Sequence, residues 1–248
     1  MIIVFAALLG LVVGSFLNVC IYRIPRRESI VYPSSHCPTC RQPIKPYDNL
    51  PLLSYLLLRG RCRSCGSRIH YRYPLVEAAG GIGFALVVGR FGLSVSALIG
   101  LIFFSALLVL AGIDLEHHIL PDLITLPGIP LGLLMGMLLP EASLLSSAEG
   151  LVLGGGIFYL VALLSRGGMG GGDIKLAAMI GAFLGWQRLL LTIFLATLFG
   201  SVVGIPLLAL KLKGRKDPIP FGPFLSLGAF ISLIWGGLLI GWYGRFLR

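Results

Sequence analysis

Apolar runs of membrane-spanning length recur along almost the whole chain. They cover roughly residues 2–22, 74–90, 93–113, 119–139, 149–165, 173–186, 188–210 and 219–243. A helical crossing takes about 20 apolar residues, so the pattern predicts an all-α, polytopic membrane bundle of about eight transmembrane helices. Segment 173–186 is too short to cross alone and requires tilt, extension or burial among neighbours. The one long polar stretch is 23–73. Pro25, Pro33, Pro38, Pro43, Pro46, Pro51 and Pro74 punctuate it and its exit, which predicts loops rather than helix. The expected organisation is a first transmembrane helix over 1–22, a small cytoplasmic module over 23–73 and a transmembrane bundle over 74–248.

Glycines four apart recur within the apolar runs, as in Gly128, Gly132 and Gly136, in Gly181 and Gly185, in Gly200 and Gly204, and in Gly237 and Gly241. Such spacing lets helix backbones approach closely and speaks for a bundle rather than for an activity. No inverted internal repeat of the transporter kind is visible.

Composition agrees. Mean hydropathy is +0.94 and charged residues make up 12% of the chain, which excludes an ordinary soluble domain. The first apolar run has no Lys or Arg before it, while Arg23, Arg26 and Arg27 follow it. It therefore reads as an anchor with its N-terminus outside, not as a cleavable signal. The net charge of +10 is unevenly placed: residues 23–73 hold ten of the twenty basic residues. Arg166 and Lys175 flank a second loop, and Lys211, Lys213, Arg215 and Lys216 sit in a third. With eight crossings these loops share one side, leaving Arg90, Arg188, Arg245 and Arg248 for the other. That is the positive-inside asymmetry. Topology and contact with anionic membrane lipid account for the positive charge, with no nucleic-acid partner required.

Candidate chemistry begins with Cys37-Pro-Thr-Cys40 and Cys62-Arg-Ser-Cys65, two pairs separated by 21 residues. Two such knuckles supply the four thiolates of a tetrahedral structural zinc site. The competing readings are two disulfides or free thiols. Thiolate-bound zinc belongs in a reducing compartment, which puts the module in the cytoplasm and agrees with the charge asymmetry. Zinc would also compensate for the module's small hydrophobic core.

Three carboxylates stand in unusual places. Asp114 follows an apolar run directly, Asp122 follows Leu120-Pro121, and Asp173 follows Gly170-Gly171-Gly172. Carboxylates near membrane depth are costly and point to function. The expected topology brings Asp114 and Asp173 to the same cytoplasmic level. Two close carboxylates sharing a proton perform aspartic-protease chemistry, one activating water and the other acting as acid. Helix capping is the bland alternative, and a proton or cation pathway is another. The glycine run permits close approach of an extended peptide, although flexibility alone would also explain it.

The segment Asp114-Leu-Glu-His-His-Ile-Leu-Pro-Asp122, followed by Gly170-Gly-Gly-Asp173-Ile-Lys175, resembles the two-aspartate signature of type IV prepilin peptidases, intramembrane aspartyl proteases of the Gly-x-Gly-Asp class. Gly14-Ser-Phe-Leu-Asn18, the stretch from Tyr47 to Cys65, Arg72-Tyr-Pro-Leu-Val-Glu77 and Pro220-Phe-Gly-Pro223 extend the resemblance in order along nearly the whole chain. The resemblance implies that Asp114 and Asp173 are the catalytic aspartates and that Asp122 is structural. It matches Cys37, Cys40, Cys62 and Cys65 to the zinc module of the methyltransferase-competent members. It implies removal of the basic leader of prepilins or pseudopilins after a Gly at the cytoplasmic face of the bacterial inner membrane. Methylation of the new N-terminal amine, usually of Phe, by S-adenosylmethionine would follow.

No Gly-x-Gly-x-x-Gly turn of a soluble methyltransferase is present. A methyl-donor site must then be built from the module and helix ends, with Asn49, Arg59, Gly60, Arg61, Arg72 and Glu77 as candidates. Each also has an ordinary reading as a loop, snorkelling or interface residue. His36 borders Cys37 as a candidate support for a metal ligand, and His117 and His118 lie where they can tune the aspartates. Lys175 does not share a helix face with Asp173; orienting the leader backbone and facing the interface are its two readings. Cys20 reads as packing. Two further functional classes remain in view: an ion or solute transporter using the carboxylates as a relay, and a non-catalytic assembly subunit docking partners through the zinc module.

Overall fold

The computed structural model describes residues 1–136, 138, 143–165, 169–212, 214 and 219–246. Arg166, Lys213, Arg215, Lys216 and Arg248, which contribute to the expected charge asymmetry, lie outside the described residues. The described secondary structure is helical apart from two isolated β-bridges. In order it comprises α1 (Ile2–Arg23), a 3-10 turn (Pro46–Asn49), α2 (Leu53–Leu57), α3 (Arg72–Phe91), α4 (Val95–His117), α5 (Asp122–Gly136), α6 (Leu144–Leu164), α7 (Gly171–Ala209) and α8 (Gly222–Phe246). Among the described residues, six helices are long and apolar enough to cross a membrane: α1, α3, α4, α6, α7 and α8. The protein is thus an all-α polytopic membrane bundle.

The expected apolar runs all become helix, with instructive differences at their ends. Helix α4 continues past residue 113, so Asp114 lies inside the helix rather than after it. Helix α5 is only 15 residues long, because Pro121 keeps Leu120 out of the helix and delays the start to Asp122. Helix α6 starts earlier than hydropathy suggests, since Ser143 caps it by accepting the Ser146 N–H at 3.1 Å. The runs 173–186 and 188–210 are one length of helical turns broken at Gly185 (φ 75°, ψ 170°). Only glycine takes that conformation without strain, and the Ser146 hydroxyl of α6 fills the space where a Cβ would stand.

The chain divides into two compact units, Met1–Ala97 and Leu98–Arg248. In the first, α1 packs along α3. Gly10 lies against the Gly80 carbonyl, and Gly14 lies against the backbone of Glu77. In the second, α7 is central and meets α5, α6 and α8. Gly150 and Gly181 bring α6 and α7 backbone to backbone, while Gly128 and Gly132 receive Met179 and Phe183. Helix α4 joins through Phe103 stacked on Phe183 and Phe104 beside Phe230, with ring centroids 4.5 and 4.6 Å apart. Lipid removes the hydrophobic drive between helices, so close contact of this kind does the binding. The outward faces carry large apolar side chains such as Val12, Leu134, Leu160 and Leu238, the inverse of a water-facing surface.

Candidate active site and candidate metal centre

Asp114 sits in the last turn of α4 with its side chain buried. His118, in left-handed conformation at φ 53°, ends that helix, and its N–H donates to the Asp114 carbonyl at 3.0 Å. The carboxylate itself is held from another element. The Gly222 N–H, at the first residue of α8, donates to Asp114 Oδ2 at 2.9 Å.

Asp173 lies in the first turn of α7, half-buried. Its N–H donates to the Gly170 carbonyl at 3.1 Å, and its Oδ2 lies beside Gly170, 3.6 Å from where a Cβ on that residue would stand. A carboxylate in the first turn also meets the positive end of the helix dipole. Asp114 and Asp173 are close enough for the charge of one to act on the other. Leu120 explains how three helix ends converge here. Its side chain fills the space beside Gly172 and also borders Gly222, where added Cβ atoms would lie 2.8 and 3.2 Å from it. The turn between α4 and α5 thereby wedges against the starts of both α7 and α8.

Asp122 opens α5, and Lys175 Nζ donates to its Oδ1 at 2.6 Å. Lys175 therefore ties α7 to α5 and points away from the role of orienting a leader backbone. His117 Nε2 lies 4.0 Å from Glu116 Oε2, while His118 meets Asp114 through its backbone N–H.

The four paired cysteines converge in the first unit, their sulfurs all within 4.8 Å of one another. The two knuckles share one design. The residue after each second cysteine is left-handed, Arg41 at φ 57° and Gly66 at φ 71°. Its N–H returns to the first cysteine's carbonyl, at 2.8 Å in one knuckle and 2.9 Å in the other. Bridges His36–Pro43 and Arg61–Arg68 close the two turns. His36 Nδ1 faces the Ser34 carbonyl at 3.1 Å. Cys37 and Cys65 Sγ are 3.9 Å apart and all the cysteines are free, far beyond a disulfide bond. Tetrahedral ligands at a Zn–S distance of ~2.3 Å stand about 3.8 Å from one another, so the spacing fits a metal shell.

The thiols of Cys37 and Cys40 differ in their tendency to ionise. Burial opposes ionisation of Cys37, but the Cys40 and Thr39 amides and the Ser67 hydroxyl around it bring the thiol down to about 6. The Gln42 amide lowers Cys40, yet burial and the neighbouring thiols carry it up to about 11. Four crowded thiolates need a cation among them. Ser67, whose hydroxyl is 3.1 Å from Cys65 Sγ and 3.7 Å from Cys37 Sγ, supports the cluster and is not legible from the cysteine spacing. Arg63, inside the second knuckle, grips Asp48 through Nε at 2.8 Å and Nη2 at 2.7 Å. That hydrogen-bonded pairing holds the Asp48 carboxyl below the usual range and fastens the knuckle to the Pro46–Asn49 turn.

The six candidate methyl-donor residues all lie in the same unit. Asn49 ends the 3-10 turn and is exposed, as are Arg59 and Arg61. Arg59 and Gly60 form a left-handed pair, at φ 51° and 66°, that closes α2. Arg72 opens α3, with its guanidinium 4.8 Å from the Tyr73 ring centroid. Glu77 is buried, and its Oε2 accepts the Leu52 N–H at 2.8 Å. Nearby, Asn18 is buried on α1, and its Nδ2 donates to the Tyr73 carbonyl at 3.0 Å. Its Oδ1 has no hydrogen-bond partner among the described residues.

Two family models match the chain. The Bacterial Peptidase A24 N-terminal domain covers residues 8–91, and the Type IV leader peptidase family covers residues 101–205. A prepilin leader peptidase/N-methyltransferase of Pseudomonas aeruginosa is 40% identical, with 96% of this chain and 92% of that protein aligned. Proteins of the same name from Stutzerimonas stutzeri and Aeromonas hydrophila are each 38% identical, covering 98% and 95% of this chain and 94% and 91% of theirs. No solved structure matches the chain significantly. A full-length likeness of this strength leaves one assignment: the chain belongs to the type IV leader peptidase family.

Proposed function

We propose that this protein is an intramembrane aspartic endopeptidase that removes the basic leader of type IV prepilins or pseudopilins. It cuts after a Gly at the cytoplasmic face of the bacterial inner membrane and methylates the new N-terminal amine, usually of Phe. The observation supporting this reading is the approach of Asp114, whose carboxylate the Gly222 amide holds, to Asp173 in the first turn of α7. Within this family, the names of the full-length relatives support both activities.

One aspartate is ionised and its partner protonated during turnover. The ionised carboxylate takes a proton from water while the water oxygen bonds to the scissile carbonyl carbon. The protonated partner gives its proton to the carbonyl oxygen. The tetrahedral adduct then collapses, the C–N bond breaks and a proton passes to the leaving amine. The Gly222 amide fixes the Asp114 carboxylate without adding a titratable group, so that carboxylate keeps its orientation through the proton transfers.

Residues 23–73 form the module that serves methyl transfer in this reading. Cys37, Cys40, Cys62 and Cys65 hold a structural zinc in a closed shell with no open position for water. When bound, S-adenosylmethionine supplies an electrophilic methyl group for the new amine. The candidate set is compatible with it: Glu77 and Asn18 Oδ1, which has no hydrogen-bond partner among the described residues, are acceptors for positive charge, while Arg72 suits its carboxylate. Asn49 and Gly60 complete the candidate lining.

The test is incubation of detergent-purified protein with a prepilin-like peptide and isotopically labelled methyl donor, followed by mass spectrometry. The expected products are the free leader and a mature peptide heavier by one labelled methyl group. An intact peptide would overturn the peptidase reading, and a cut but unmethylated peptide would remove the second activity.

A further inference from the structure

Helix α2 has its polarity turned inside out. Its sequence is Leu53-Ser-Tyr-Leu-Leu57, and Leu53, Leu56 and Leu57 fall three and four residues apart on one face. In a water-bathed module that face would be buried. Here the three leucines are 58%, 70% and 79% exposed, whereas Ser54 is buried. The Ser54 hydroxyl accepts the Leu50 N–H at 3.0 Å and donates to the Tyr47 carbonyl at 3.1 Å. Tyr55 turns inward as well, against Gly60, where a Cβ would stand 3.1 Å from its ring. The polar side chain is thus spent on the module's own backbone and the apolar ones are presented outward.

The position of this face is fixed by α3. The Leu52 N–H, immediately before α2, is bonded to the carboxylate of Glu77. Glu77 lies five residues into a helix long and apolar enough to span the bilayer, or about 8 Å from its first residue. Leu52 takes a positive φ, 60° with ψ −47°, a strained turn conformation that a leucine adopts only when its surroundings hold it there. The Glu77 bond is such a hold. The start of α2 is thereby pinned at the level of the first turns of a membrane span. Cations follow it: Arg59 and Arg61 come directly after the helix and are exposed. The acidic residues of 23–73 are Glu28 and Asp48, and Asp48 is already paired with Arg63.

We propose that α2 is an interfacial membrane anchor: Leu53, Leu56 and Leu57 insert into the headgroup–acyl boundary of an anionic leaflet, with Arg59 and Arg61 on its phosphates. Apolar side chains flanked by arginines match that boundary in both chemistry and depth. The consequence is that the cysteine cluster, six residues from Leu56 at Cys62, is held against the membrane surface rather than free in solvent. The inference uses only the first unit and stands independently of either catalytic activity.

The test places a fluorescent reporter on the exposed face. Full-length protein carrying Trp186→Phe, Trp235→Phe, Trp242→Phe and Leu56→Trp is reconstituted into vesicles of phosphatidylcholine and phosphatidylglycerol. Lipids brominated near the headgroup end of the acyl chain should quench most of the emission. Lipids brominated near the chain terminus should quench little, and aqueous acrylamide should quench weakly. Arg59→Gln with Arg61→Gln should reduce the lipid quenching in anionic vesicles. Acrylamide quenching without lipid quenching would leave the face in water and overturn the anchor. Protection from both quenchers would mean that protein covers it, a second copy or a substrate helix, and would overturn it equally. Identical quenching in pure phosphatidylcholine would remove the anionic component. Leu57→Trp in the same background repeats the measurement should Leu56→Trp fold poorly.

Discussion

The Gly222 amide donates to Asp114 Oδ2 at 2.9 Å, joining residues 108 positions apart at the end of α4 and the start of α8. A Cβ on residue 222 would stand 2.6 Å from that oxygen and 3.2 Å from Leu120. Glycine is needed here for close approach, not for an unusual φ. In Gly222→Ala the carboxylate must swing away, and a hydrogen bond to a charged group contributes ~1.5–3 kcal/mol. Peptide cleavage should therefore fall about 10- to 100-fold in kcat with KM little changed. Steady-state kinetics on a prepilin-like peptide measure this, and wild-type kcat would show that Asp114 does not depend on the amide.

Asp114→Asn and Asp173→Asn should each abolish leader cleavage while the protein still inserts and keeps its thermal stability in detergent. Neither residue can replace the other when the two act as a unit. Substantial cleavage by either single variant would remove both from the catalytic assignment. Asp122→Asn breaks only the half-exposed pair with Lys175, a class of interaction that contributes ~0–1 kcal/mol. It should cut activity mildly.

Purified protein should contain one zinc per chain by elemental analysis, with Cys37, Cys40, Cys62 and Cys65 resistant to alkylation until a chelator is added. Cys37→Ser or Cys62→Ser should loosen residues 31–73 to limited proteolysis and lower methylation more than cleavage. The aspartates stand on other elements, so their geometry survives. Metal-free protein with native thiols open to alkylation would refute the zinc site.

Cysteines placed beside Lys45 and Ser165, in a background lacking the native ones, should react with a membrane-impermeant maleimide only from the cytoplasmic side. One beside Arg90 should react only from the outside. Opposite-sided labelling of the Lys45 and Ser165 positions would overturn the shared cytoplasmic location of the cleavage and methylation chemistry.

Hydropathy period and length, read along the chain, were sufficient to determine the all-helical membrane class and nearly all the helices, because lipid accepts only segments that satisfy their own backbone. Cysteine spacing was sufficient for the four-sulfur cluster, since each knuckle closes within a few residues. Asp114 and Asp173 stood out because a carboxylate at membrane depth is costly wherever it occurs. The tertiary structure decided everything that depended on distant residues meeting. Gly222 carried no signal of its own, since a backbone amide looks the same in any sequence until a carboxylate is folded onto it. Lys175 had no visible partner until α5 and α7 were side by side. Glu77 read as a possible ligand for a methyl donor, and only packing of α3 near the module revealed its bond to Leu52. The break in α7 hid inside an uninterrupted apolar run because a glycine's φ is chosen by its neighbours, here Ser146 of α6. Local periodicity is written in composition, whereas the pairing of one buried polar atom with another is settled only when close packing brings them within reach.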